Sequence, residues 1–383
     1  MDFQLNTEQQ MWRDTLHSFC QAELKPRAHQ TDAEAKLPLD VIKKLAALGA
    51  LALPVPETDG GPGLDSIGAA IAIEEMGRAC GSTALSVAAH NGLCLSPLVA
   101  FGTAAQKARY LPELTSGARL GALALTEPGA GSDLAGGVQT TARAAGDEWV
   151  IDGSKAWITN PSLAPLVITL CRIDKEPDTK NFNLIIVETD RPGLTIHPAE
   201  KKMGLKGSPT HMLTFDQVRV PKDNLLGEYG HGLHQALATL DGGRIGIGAM
   251  AVGLAQAALD EALRYAQERH TFGRPIAQHQ AIQQMLADMH TEIEAARLLV
   301  YRAAWLKDEG KNFTKAAAMA KLLASETAER AAFKAIQIHG GYGYSPEFPV
   351  ERIYRDQRLL TIGEGTSEIL RMVIARRLLA EGA

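Results

Sequence analysis

The hydrophobic period of this chain changes twice along its length, and that double change limits its architecture more than any other feature. Up to about residue 120, apolar residues recur at helical spacing. Leu39, Ile42, Leu45 and Leu48 share one face of "LPLDVIKKLAALGAL", with Gly49 placed to end the helix. Asn6 with Gln9, and Thr103 with Gln106, have the spacing of capping boxes. Pro26 in "ELKPRA" is expected to discourage continuation of the first helix. From about 121 the segments shorten. "GALALT", "EWVIDGSKAWIT", "LVITLCRI", "NLIIVE" and "HMLTFDQVRV" are rich in β-branched and aromatic residues and are separated by Gly, Pro, Asn and Asp, which predicts an antiparallel sheet or barrel. Beyond about 230 the helical spacing returns in longer runs, over 244–269, 276–309 and 314–339, the last stopped by Gly340 and Gly341. The predicted class is α+β: an N-terminal all-α domain over 1–120, a middle β-sheet or barrel domain over 121–228, and a C-terminal four-helix bundle over 229–383.

That order is not an alternation of strand and helix, which removes one tempting function. "GRIGIGAMAVG", 243–253, superficially resembles a glycine-rich dinucleotide turn, but its spacing is not GxGxxG and no strand precedes it. Close helix packing explains its small residues. A net charge of −5 leaves no basic stripe for nucleic acid. Cys20, Cys80, Cys94 and Cys171 form no CxxC or Cys/His cluster of metal-site spacing and read as reduced, buried thiols. "MDFQLNTEQQ" lacks the basic start and apolar run of a secretory signal, and no apolar stretch is expected to reach the ~20 residues of a membrane span. A soluble, cytoplasmic protein is the expectation.

Four short stretches carry polar groups where a ligand could use them. "LTEPGAGSD", 125–133, combines the hydroxyls of Thr126 and Ser132 with glycines at 129 and 131 that let backbone N–H groups approach a phosphate; it reads equally as a polar β-turn. "KAWITN" puts Trp157 and Thr159 on one side of a strand, as a wall for a planar heterocycle or as a cross-strand core pair. Asp241 and Arg244 are spaced for an intrahelical ion pair or for anion recognition. In "TIGEGTSEIL", Thr361 and Glu364 have capping-box spacing, but Gly363 and Gly365 each disfavour helix by roughly 0.8–1.0 kcal/mol. The helix therefore starts at Thr366 or Ser367 with Glu368 in its first turn, and Glu364 stands ahead of it on a glycine-hinged loop. Such a carboxylate is either structural or catalytic.

"LTEPGAGSD", "AWITN", "ERHTFGRPIAQHQAIQ", "QIHGGYGY" and "IGEGTSEI" occur in the order and spacing of the acyl-CoA dehydrogenases, over essentially the whole chain. With "TLDGGRIGIGA", the chain most resembles the short-chain, butyryl-CoA-type branch. The resemblance implies non-covalent FAD between the β domain and the C-terminal helices. Leu125, Thr126, Gly131 and Ser132 would contact its ring and pyrophosphate; Trp157, Ile158 and Thr159 would flank the ring; Thr366, Ser367 and Glu368 would join the cofactor site. Arg269, Thr271 and Phe272 would reach a neighbouring subunit's FAD, and Gln280, Gln337, Gly340 and Gly341 its adenosine half. A complete FAD site would then require two subunits, and the resemblance further implies a homotetramer, a dimer of dimers. Ser132, Asp241, Arg244 and Gly365 would border the acyl-CoA.

The resemblance also implies that Glu364 removes the α-proton of an acyl-CoA thioester while the β-hydrogen leaves as hydride to flavin N5, giving the trans-2-enoyl-CoA. The base's own backbone N–H and a ribityl hydroxyl of FAD would hold the thioester oxygen. Some relatives carry the base just before the Arg of the "LDxGR" segment; here that residue is Gly243, which leaves Glu364 without a competitor. Gly363 stands where short- and medium-chain relatives commonly have Tyr, which opens the acyl pocket to short, branched or ring-bearing groups. Electrons would pass to an electron-transferring flavoprotein. An oxygen-using acyl-CoA oxidase and a catalytically silent helical scaffold are the rival readings, separated by peroxide release and by failure to take up flavin.

Overall fold

The computed structural model describes residues 4–173 and 181–382, so the first three residues of the N-terminal segment lie outside it. Local signals set most element ends. Asn6 and Gln9 close a capping box on the helix Thr7–Phe19, and Thr103 and Gln106 close another on Ala104–Thr115. Gly49 follows the helix Leu39–Ala47 with φ +84°, the left-handed stop that glycine adopts without strain. Pro26 does not end the first helical run. The chain changes pitch instead, through a π turn Cys20–Leu24 and a 3-10 turn Lys25–Arg27, and Pro26 sits at the start of the tighter turn, where its missing N–H is not needed.

The middle of the chain forms one sheet from β1 (Ala122–Ala124), β2 (Thr141–Ala145), β3 (Glu148–Thr159), β4 (Leu166–Ile173), β5 (Phe182–Glu188), β6 (Leu194–Ile196), β7 (Thr210–Pro221) and β8 (Leu225–Leu226). The order is β6-β7-β3-β2-β4-β5-β8, with β1 paired to β4. The sheet is mixed, not antiparallel as expected. β1 pairs in parallel with β4 at Val167–Thr169, and β2 pairs in parallel with the same strand at Arg172 and Ile173. β1 and β2 therefore lie end to end along β4, and the stretch between them, which holds "LTEPGAGSD", is an excursion out of a line of pairing. Alternation of residue types reports which face a side chain takes but not which way a neighbouring strand runs.

The C-terminal helices are Gly232–Glu268, Gln280–Asp308, Thr314–His339 and Ser367–Glu381, with the short helix Val350–Gln357 before the last. Gly248 and Gly253 of the run 243–253 serve helix packing, as expected, while Gly246 has open space beside it. A Cβ at Gly253 would lie 2.1 Å from the Glu74 carbonyl, and one at Gly77 would lie 2.9 Å from that of Met250. Helices Ser66–Ala79 and Gly232–Glu268 thus touch backbone to backbone. Two helical runs, Gly81–Phe101 and Gly232–Glu268, are long and apolar enough to cross a membrane, contrary to the expectation that none would be. Their apolar windows are 67% and 83% buried inside the fold, which is where a core helix places its hydrophobic surface. All four cysteines are buried and free.

Candidate active site

Glu364 sits on a turn the sequence signals prepare. A 3-10 turn, Arg358–Thr361, is followed by Gly363, Glu364 and Gly365, and Thr366 then caps the last helix by accepting from the Ile369 N–H at 3.3 Å. Glu364 has φ +54° and Gly365 φ +100°. For glycine this is free; for a glutamate it costs on the order of 1 kcal/mol, a strain the surroundings must hold. They do so from two helices. Arg244 Nε donates to the Glu364 carbonyl at 3.4 Å, and Lys321 Nζ donates to the Gly365 carbonyl at 2.6 Å. The expected intrahelical pair also forms: Arg244 Nη1 bonds Asp241, whose other oxygen accepts from the Thr314 hydroxyl at 2.6 Å.

Both cations hold backbone oxygens of the turn, which leaves the Glu364 carboxyl free. Its Oε2 is inaccessible to solvent and has no hydrogen-bond partner among the described residues. It occupies the space above Gly243, where a Cβ would lie only 2.2 Å from it. Burial raises the Glu364 carboxyl to about 7, against the opposing pull of Lys321 and Arg244. Lys321 is itself fully buried and lowered to about 8, by burial first. A half-buried carboxyl poised near neutrality, with Oε2 shut off from solvent and unpartnered, is equipped to take a proton from a weak carbon acid. Sequence reasoning missed Lys321. The signal was present, as one lysine within the small and apolar run "AAAMAKLLA".

The sheet supplies a second surface. The loop after β1 is anchored by a buried ion pair: Lys155 Nζ donates to Glu127 Oε1 at 2.8 Å and to the Leu125 carbonyl at 3.0 Å. Backbone N–H groups of Gln139 and Thr140 take the Glu127 carboxylate from the far end of the loop. Burial opposes ionisation of Glu127, but Lys155 and these donors hold its carboxyl below the usual value. Neither Glu127 nor Lys155 stood out in the sequence. Ala156 N–H donates to the Thr126 carbonyl at 2.9 Å, tying the loop to β3 at the point where β3 bulges. Trp157 lies in that bulge with φ +61° and is 61% exposed, so it is not a cross-strand core pair. Ile158 is buried among the sheet's core residues, which leaves its backbone as what it can offer a ligand, and Thr159 is half-buried. Leu125 is buried, Thr126 half-buried, and Gly131 and Ser132 are exposed; a Cβ at Gly129 or Gly131 would meet nothing within 4 Å.

Two hollows lie on the C-terminal helices. Thr366, Ser367 and Glu368 line a cavity of about 340 Å³ with Thr361, Arg358 and Arg371, and the buried Ser367 Oγ has no partner. Arg269, Thr271, Gly340 and Gly341 line an open groove of about 600 Å³, with Arg269 stacked over the Tyr342 ring at 5.8 Å. Phe272, 95% exposed, Gln280 and Gln337 project outward and do not line it. No residue borders both hollows.

The helix–sheet–helix fold thus presents an unpartnered, solvent-inaccessible Glu364 Oε2, an outward-facing indole at Trp157 and an open glycine loop, groups of the kind that can accept a proton and receive a flat, phosphate-bearing ligand. The acyl-CoA dehydrogenase N-terminal, middle and C-terminal domain models match residues 6–118, 122–218 and 230–379. The chain belongs to the acyl-CoA dehydrogenase family and acts on acyl-CoA. It is 54% identical to a probable acyl-CoA dehydrogenase of Bacillus subtilis, over 99% of this chain and 100% of the relative. It is 48% identical to the mitochondrial short-chain specific acyl-CoA dehydrogenase of Rattus norvegicus, over 97% and 90% of the two chains. Butyryl-CoA dehydrogenase from Megasphaera elsdenii superposes with a TM-score of 0.96 at 42% identity, covering 99% of this chain and 100% of that one. FAD is the cofactor of this family. The residues here fit it: an exposed indole for a flat ring, a loop without side-chain obstruction for phosphate, and an orphaned serine hydroxyl.

Proposed function

We propose that this chain dehydrogenates a short-chain acyl-CoA between Cα and Cβ, with Glu364 as the base. The observation that carries this reading is the half-buried Glu364 carboxyl, whose Oε2 is shut off from solvent and unpartnered and which is raised to about 7. In its ionised form Glu364 takes the α-proton, and the electron pair of that C–H bond becomes the new Cα=Cβ bond. Bound FAD supplies the acceptor for the β-hydrogen and its electron pair. The Glu364 backbone N–H donates to the thioester oxygen where negative charge develops. Ser132 and Gly365 border the acyl-CoA, while Asp241 and Arg244 brace the turn beneath it. Trp157 and Thr159 flank the flavin ring, Leu125, Thr126 and Gly131 line its approach, and Thr366 to Glu368 complete the site.

Arg269, Thr271, Phe272, Gln280, Gln337, Gly340 and Gly341 serve the FAD of a second subunit in a homotetramer, and an electron-transferring flavoprotein takes the electrons. The open groove at Arg269 and the outward Phe272 support the sharing; the likeness to short-chain enzymes supports the substrate class. The test is Glu364→Gln, assayed with a panel of acyl-CoAs and an artificial acceptor. Turnover falls by at least about 10³-fold with flavin content unchanged. Substantial residual turnover would show that another group removes the proton.

A further inference from the structure

The turn that carries Glu364 has two successive left-handed residues, and its two carbonyls are met by two different cations. Arg244 is shared, since it also bonds Asp241. Lys321 has no second acceptor among the described hydrogen bonds; its fully buried ammonium is committed to the Gly365 carbonyl at 2.6 Å. A buried lysine is costly unless its charge is used. Here it lies close enough to the Glu364 carboxyl to act on it electrostatically, without bonding to it. We propose that Lys321 is a positioning residue for the reaction: it clamps the Gly365 carbonyl, holds the left-handed turn that aims Glu364, and stabilises the ionised base through space. Because its hydrogen bond goes to backbone, it supplies positive charge while leaving Glu364 Oε2 unpartnered.

This inference rests on Glu364 being the base. The charged groups around that carboxyl are few. Helix Gly232–Glu268 presents Arg244 with Asp241, helix Thr314–His339 presents Lys321, and Glu368 on the last helix faces Lys321. Arg358 of the preceding turn is bonded to the Thr361 hydroxyl. From the segment Ala89–Leu95, uncharged Gly92 and Leu93 approach position 243.

The experiment compares wild type, Lys321→Met and Lys321→Arg as FAD-loaded enzymes, measuring kcat, KM and the pH profile of kcat/KM. Loss of the positive charge makes the ionised base harder to form. The Met variant therefore loses at least about tenfold in kcat with KM within about threefold, and its acid limb moves to higher pH by about half a unit or more. The Arg variant brings the limb back toward wild type. Should the Met variant not accumulate as flavin-loaded protein, Lys321→Gln, which keeps a donor but no charge, carries the same comparison. An unchanged kcat, or a reduced kcat with the limb at its wild-type pH, overturns the proposal, because a merely structural lysine would not move the titration. Glu364→Gln run alongside separates the two levels: if that variant turns over, the assignment of the base has failed, whatever Lys321 does.

Discussion

Replacing Gly243 with alanine should disable the reaction without loosening the fold. Position 243 lies inside the helix Gly232–Glu268, where alanine is favoured over glycine by roughly 0.8–1.0 kcal/mol. The added methyl would lie 2.2 Å from Glu364 Oε2, 3.2 Å from its Cδ and 3.1 Å from a Leu93 methyl. Ordinary contact requires the carboxyl to withdraw by about 1 Å or more. A displacement of that size at a reacting atom costs about 10²-fold in rate, equivalent to about 2.7 kcal/mol of barrier. Steady-state assays of the FAD-loaded Gly243→Ala enzyme should show that fall in kcat, with flavin content retained and a melting temperature at or above wild type. A kcat within about threefold of wild type would refute the reasoning, because it would mean the carboxyl does not work from the place it occupies.

Protonation of Glu364 is favoured by folding, since its folded value, about 7, lies above the ordinary 4.5. The stability this contributes is complete below the ordinary value and is lost as pH rises through 7, so Glu364→Gln should stabilise the protein against denaturant more at pH 8 than at pH 5, by at most about 3 kcal/mol. Equal effects at both pH values would contradict the burial argument. Trp157→Ala should lower the flavin retained on purification while leaving the melting temperature of flavin-free protein nearly unchanged, because the indole is largely exposed. Lys155→Met strands the buried Glu127 carboxylate and should destabilise the protein by about 3–5 kcal/mol in denaturant titration. A loss below 1 kcal/mol would mean the pair does not anchor the loop.

Two positions sharpen what Gly243 and Gly363 mean for specificity. A Cβ at 363 would meet nothing closer than Leu359 at 3.7 Å, so the glycine there leaves room; a Cβ at 243 would collide with the base, so the glycine there is required. The same residue type thus has opposite significance in the two places, and only the packed structure distinguishes them.

By itself the sequence determined whatever depends on groups a few residues apart. The capping boxes at Asn6 and Thr103, the start of the last helix at Thr366, the stop after His339 and the two changes of zone all follow from backbone groups that need partners and from apolar faces that need cover. The motifs placed Glu364 on a hinged loop for the same local reason. Tertiary structure decided the rest: that β1 and β2 share one side of β4, that Trp157 is turned outward by a bulge, and that Lys321 reaches a carbonyl 44 residues away. Those outcomes depend on which surfaces meet when distant segments pack, and the solvent-shielded, unpartnered Oε2 of Glu364 exists only after they have met.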